Sequence, residues 1–349
     1  MRTSLISTMS LNSAPRTGLA EMQERLAAAT KEVATGRHAD TGLVLADRTG
    51  RTVSLRQEMG SLDSMITSNS VARSRIEKTH LALEDIGGSI QSLQNNLTGL
   101  PDSTQEIAIL RRQANDALDK FVSTMNTADG RVHLFAGTNS ETPPLAEYDS
   151  GPKAALDAAL IAKFGLTSPP QEDTAGLAAI TPADMSDFLD NEFAAMFSDP
   201  DWTSVWSSAA DEPLQSRISP TETVATSISA NGTATRDLAK ALTALADFGI
   251  DHLAPETRAV VFHRSLSTMN AGLTQTVTDR AMLGVSQQRL DAADTRMRNA
   301  RDIVEQRIAA FEAVNPVEKK AEIDQLSVQI EMSYSLTAKL LRLSIMNYA

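Results

Sequence analysis

With 349 residues, 42% of them hydrophobic, the chain is long enough for two or three domains and can bury a core; the 4% aromatic content disfavours ring-lined ligand pockets and suits helices packed along narrow seams. A formal net charge of −12 argues against binding nucleic acid or anionic lipid through general electrostatics. The absence of cysteine excludes disulfides, thiolate metal sites and cysteine nucleophiles.

The opening MRTSLISTMSL has one basic residue and lacks the apolar core of a secretory signal, and no run of about 18 apolar residues exists to span a membrane. By these address signals alone the chain reads as cytoplasmic. Leu5, Asn12, Leu19, Leu26 and Val33 recur every seven residues, with Met22 and Ala29 between them, which predicts an amphipathic helix over 3–34 disturbed at Pro15–Gly18. Residues 37–53 read as a loop-rich connector. Leu55, Leu62, Asn69, Ile76, Leu83, Ile90 and Leu97 then form an unbroken heptad series, predicting a helix over 53–98 of roughly 65 Å, stopped by Gly99 and Pro101. Asn69 is the polar member, either setting register as a buried amide or simply meeting water. A third helix, capped by Asp102 or Ser103, buries Ile107, Leu110, Ala114, Ala117, Phe121 and Met125. Asp129-Gly130 turns the chain into the strand-like RVHLFA.

The texture changes at residues 141–220, which hold nine of the 13 prolines, both tryptophans and four of the nine phenylalanines. This predicts an inserted small domain of mixed structure with its own aromatic core. Short helices are expected after Pro152 and after Thr181-Pro182, and a strand over 223–229 before the Ala230-Asn231-Gly232 turn.

Helical periodicity returns from Thr235. Leu283, Leu290, Met297, Val304 and Phe311 recur at seven, accompanied by Ser286, Ala293, Ala300, Arg307 and Val314, as in a long helix lying close to a partner. Asn315-Pro316 interrupts it. A last helix runs through Ile323, Leu326, Ile330, Thr337, Leu340 and Ser344 and becomes apolar on nearly every side, as though made for another molecule. The predicted fold is mainly α: long antiparallel heptad helices from both chain ends form a rod-like bundle carrying the small α/β insert. Its domains are 1–40 with 318–349, 41–140 with 221–317, and 141–220.

Signs of chemistry are few. The five histidines are scattered, with no HExxH, calcium loop, Walker loop or GxSxG elbow. His252, Glu256 and His263 are not brought together by helical spacing, and His80 reads as a packed or partly solvated helix residue. Asp187 and Asp190 read as a solvated acidic face, and the methionines, Met332 among them, as core filler. No cofactor, metal or enzymatic activity is expected.

The segments KEVATGRHAD (31–40), GRVHLFAGTNSETPP (130–144), TDRAMLGVSQQRLD (278–291) and LTAKLLRLSIMNYA (336–349) together resemble the flagellin superfamily of bacterial flagella, and within it the hook-associated proteins of the hook–filament junction. The resemblance covers roughly 1–144 and 221–349; FAGT…TPP is its most specific part, and the terminal Ala349 departs from the more usual apolar ending. It implies a structural protein, exported unfolded through the flagellar type III apparatus with a chaperone shielding the carboxyl end, and therefore extracellular. It implies a closed ring of about 11 copies between a neighbouring hook-associated protein and flagellin, with the terminal helices lining a tube. Residues 1–34 and 318–349 are then expected to order on assembly, with Leu5, Met9, Leu336, Leu340, Leu343, Ile345 and Met346 as assembly contacts. The alternatives are an ordinary intramolecular hairpin of the two ends, a filament flagellin, and a cytoplasmic coiled-coil adaptor.

Overall fold

The computed structural model describes the backbone of residues 8–40, 49–99 and 103–346, and the side chains of 16–40, 50–99 and 103–339. The fold is mainly α, as the heptads predict, and two small antiparallel hairpins are the sheets found among the described residues. The chain divides into two compact units: residues 1–64 with 298–349, and residues 65–297.

The first unit pairs the chain ends. Helix α1 (Thr8–Thr35) runs unbroken through Pro15 and Gly18. The disturbance expected there is therefore not a break: proline's fixed φ is helical, so it forfeits one backbone bond without stopping the turns on either side. Gly36, at φ +69°, ends α1 in the left-handed conformation and donates its N–H to the Glu32 carbonyl at 2.8 Å. Helix α2 (Thr49–Thr98) starts four residues earlier than its heptads announce. Its Leu55 shares a small apolar core with Val304 and Ile308 of α9 (Pro255–Glu312), flanked by Met59, Leu62 and Phe311. Asn315-Pro316 does separate α9 from α10 (Pro316–Met346). The Asn315 side chain accepts the Val317 N–H at 3.1 Å, and proline occupies the first helical position, where its missing donor costs nothing.

The second unit holds one continuous apolar core. Along α2, Asn69, Ile76, Leu83, Ile90 and Leu97 are all buried, and on α9 so are Leu283, Leu290, Ala293 and Met297. Helix α3 (Thr104–Met125) starts with a capping box, Ser103 exchanging hydrogen bonds with Glu106, and buries all six predicted positions. Strands β1 (Ala128–Asp129) and β2 (Val132–His133) turn around Gly130. Helices α4 (Pro152–Phe164), α5 (Thr174–Ala179), α6 (Pro182–Asp190) and α7 (Glu192–Ala195) follow; Thr181 caps α6 by accepting the Asp184 N–H, with proline at its first position.

The aromatic core expected for 141–220 is present but not closed within it. Phe188, Phe193, Phe197, Trp202 and Trp206 interlock, and Phe248, just past α8 (Thr233–Asp247), joins them with its ring 4.7 Å from that of Phe193. Strands β3 (Gln215–Ser219) and β4 (Glu222–Ala225) pair antiparallel. The strand expected to reach 229 stops at Ala225, and Ser229 makes an isolated bridge to Ala136.

Candidate assembly surface

Helices α1 and α10 pack antiparallel: Glu32, near the carboxyl end of α1, meets Lys319 near the start of α10, while Gln23 donates to the Tyr334 hydroxyl at 2.9 Å. Ala29 is buried on α1, Leu326 and Ile330 on α10. Much apolar surface remains uncovered. Val317 is 77% exposed, Val328 53%, Met332 58% and Leu336 58%. At about 100° per residue these four lie within roughly 100° of the helix circumference, centred about 150° from Leu326 and Ile330. One face of α10 therefore seals against α1, while the opposite face exposes Val317 and, one turn apart, Val328, Met332 and Leu336, among polar residues such as Gln325 and Lys339.

The base of this hairpin is clasped by two buried carboxylates. Glu312, whose side chain is 1% exposed, accepts Arg56 at 2.5 Å and Arg37 at 3.5 Å. Glu32 accepts Lys319 at 3.0 Å and the Ala39 N–H at 2.9 Å, with His38 beside it at 3.5 Å. Burial pushes the Glu32 carboxyl up, but the Ala39 amide, Lys319 and His38 together hold it below the ordinary glutamate range. Backbone bonds from His38 N–H to Glu312 O and from Val314 N–H to Gly36 O, each 3.1 Å, complete the clasp. It joins the turn after α1 to the ends of α9, α10 and α2, and so sets where the hairpin starts.

In the second unit, two positions singled out by sequence gain physical reasons. Asn69 is fully buried, and its amide donates to the Ile218 carbonyl at 3.1 Å. Ile218 sits where the β3–β4 register shifts, at a bulge whose carbonyl is turned out of the ladder, so the polar heptad member satisfies a strand rather than a second helix. Gly137, in the FAGT segment, has φ +60°, and a Cβ there would collide with the backbone oxygens of Ala210 and Glu212. Thr138 N–H bonds to Glu212 O and Ala210 N–H to Ala136 O, both at 3.0 Å; only glycine allows so close an approach.

Of the expected assembly residues, Leu336 lies on the exposed stripe. Met9 falls on α1, and Leu340, Leu343, Ile345 and Met346 fall on α10, with side chains outside the described residues; Leu5 lies outside them altogether. Sequence reasoning missed Val317 and Val328 and took Met332 as core filler. The 11-residue step from Val317 to Val328 and the four-residue steps to Met332 and Leu336 were the available signal, obscured because α10 is apolar on both faces. Val33, placed in the seam by its heptad, is 38% exposed.

Among the described residues, no group of three or more His, Asp and Glu side chains could hold a metal ion, and no helix is long and apolar enough to cross a membrane. His80 is half-buried, its pKa lowered by burial and by Arg280 against the opposing Glu84. Asp187 pairs with Lys163 and Asp190 with Arg264, so these carboxylates are ion-paired rather than merely solvated.

The family profile of the bacterial flagellin N-terminal helical region matches residues 6–140, and that of the C-terminal helical region matches residues 266–349. Among curated proteins, none matches the chain in sequence. A solved structure named as a candidate flagellar hook-associated protein from Vibrio parahaemolyticus superposes with a TM-score of 0.54 at 12% identity, covering 76% of this chain and 97% of that one. At that identity the likeness concerns the fold.

Proposed function

The chain belongs to the flagellin superfamily and is a structural component of the bacterial flagellum, and on that premise we propose that it is a hook-associated protein forming the ring at which the hook passes into the filament. The observation that carries this reading is the two-faced α10: one side is satisfied by α1 within the chain, and the other is an apolar stripe that needs a neighbour. The intramolecular hairpin and the assembly surface are thus two sides of one helix. Identical copies supply the neighbours around a closed ring of about 11, with a further hook-associated protein on one side and flagellin on the other. Leu5, Met9, Leu340, Leu343, Ile345 and Met346 extend the contact beyond Leu336. The protein acts outside the cell after type III export, its carboxyl end shielded beforehand by a chaperone, and its work is mechanical rather than catalytic. The likeness to a hook-associated structure and the FAGT…TPP segment favour the junction over the filament.

Deleting residues 340–349 tests the proposal. The second unit, whose core lies wholly within 65–297, should fold as before while incorporation into flagella is lost. A deletion strain that still builds motile flagella refutes the assembly role. The matched profiles are those of flagellin itself, so filament flagellin is the second reading; copy number in sheared flagella separates thousands from a ring's worth.

A further inference from the structure

Within the second unit, α6, α7, α8 and α9 border a small cavity of about 50 Å³ lined by Asp190, Phe193, Lys240, Ala244, Arg264, Ser265 and Thr268. Some of the donors in its walls have no acceptor among the described residues. The Ser265 hydroxyl is buried without a hydrogen-bond partner, although its residue is only 3% exposed. The Thr268 hydroxyl lies one turn further along α9, and the half-buried Lys240 ammonium has no ion pair among the described residues. Arg264 completes the set, with one of its nitrogens held by Asp190 at 2.7 Å. Burial pulls the Lys240 ammonium below the ordinary lysine range, opposed by Asp237 and Asp190 and reinforced by Arg264. Leaving the Ser265 hydroxyl desolvated and unpaired costs free energy that an acceptor in the cavity would recover, and the partly desolvated Lys240 ammonium would gain from the same acceptor.

From this geometry we infer that the cavity is a receptor for a small oxyanion, bound by Lys240, Arg264, Ser265 and Thr268. Lys240 and Arg264 bring two cations to the cavity, opposed by Asp190 and by Asp237 on α8, so the attraction for an anion comes from the unpaired donors rather than from an excess of charge. The space of about 50 Å³ exceeds the roughly 10–15 Å³ that a single water needs, so it admits a small polyatomic group. Leu189, Phe193, Ala241 and Ala244 line the inner part of the cavity with apolar surface, while the Arg264 and Asp190 side chains at its mouth are about half exposed. The inference concerns the second unit alone and does not depend on the place of the protein in the flagellum.

Calorimetric titration of the full-length chain with sodium phosphate, at ionic strength held constant with chloride, tests it. Saturable binding of one phosphate per chain is expected, weakened at least tenfold by Lys240→Met and severalfold by Ser265→Ala, and unchanged by Lys320→Met, whose exposed lysine lies outside the cavity. Thr268→Val is a further variant with minimal change of shape, and circular dichroism checks the fold of each. Acetate in the same titration reads the ligand's shape: equal affinity identifies a receptor for carboxylates such as a neighbouring side chain, and preference for phosphate a tetrahedral site. Absence of saturable binding, or binding by Lys240→Met that equals the parent chain, overturns the inference.

Discussion

Arg56→Met probes the clasp at the base of the terminal hairpin. The Glu312 carboxylate is 1% exposed and draws on Arg56 at 2.5 Å and Arg37 at 3.5 Å, while both arginines are more than half exposed and lose little by release. Breaking a buried pair from one side costs ~3–5 kcal/mol, because the remaining charge stays desolvated. Arg37 stays close enough to offset part of this, so about 2 kcal/mol is expected, or a roughly 30-fold change at 1.4 kcal/mol per factor of ten. Hydrogen exchange at the His38 and Val314 amides reads it directly, since both bonds cross the clasp. Their protection should fall by that factor in Arg56→Met and recover by more than half when Glu312→Gln is added, because a neutral amide no longer demands a cation. If the double variant is no better protected than Arg56→Met alone, the uncompensated carboxylate is not the source of the loss.

The same amides should respond to acid. Glu32 has its folded pKa depressed, so its contribution is present above the ordinary glutamate value of about 4.5 and is lost as pH falls through that window towards the folded value; protection that is flat from pH 6 down to about 3 would contradict the clasp. Gly137→Ala should destabilise the second unit by ~3 kcal/mol or more, through both its positive φ and the collision with Ala210 and Glu212 oxygens, whereas Gly130→Ala, at φ +66° with open space around it, should cost only ~1–2 kcal/mol. Urea unfolding followed by the fluorescence of Trp202 and Trp206 separates the two. Met332→Lys with Leu336→Asp alters only exposed positions, so helix content and α1–α10 protection should persist while incorporation into flagella is abolished. Normal incorporation would remove the stripe from the assembly surface.

Much of this molecule was legible from side-chain periodicity alone. Every heptad member of α2 from Asn69 onward is buried, and the Ser103 and Thr181 caps and the Pro316 restart fall where local chemistry puts them, because spacing, capping and proline act within a few residues. What periodicity could not say was which neighbour covers each seam. Asn69 reads identically whether it meets a helix, water or a strand; only the fold brings the Ile218 carbonyl, 149 residues away, to its amide. The clasp was likewise invisible, since Glu32, Arg56 and Glu312 look like surface charges until four segments converge on them. The outward stripe of α10 shows the same limit. A helix apolar on two sides announces two partners, and the sequence alone does not say which side the chain itself will cover. Local bonding energies are written into neighbouring residues, whereas burial is decided by groups distant along the chain. The sequence therefore determined helices, breaks and family, and the tertiary structure decided which apolar face is sealed and which is left for another molecule.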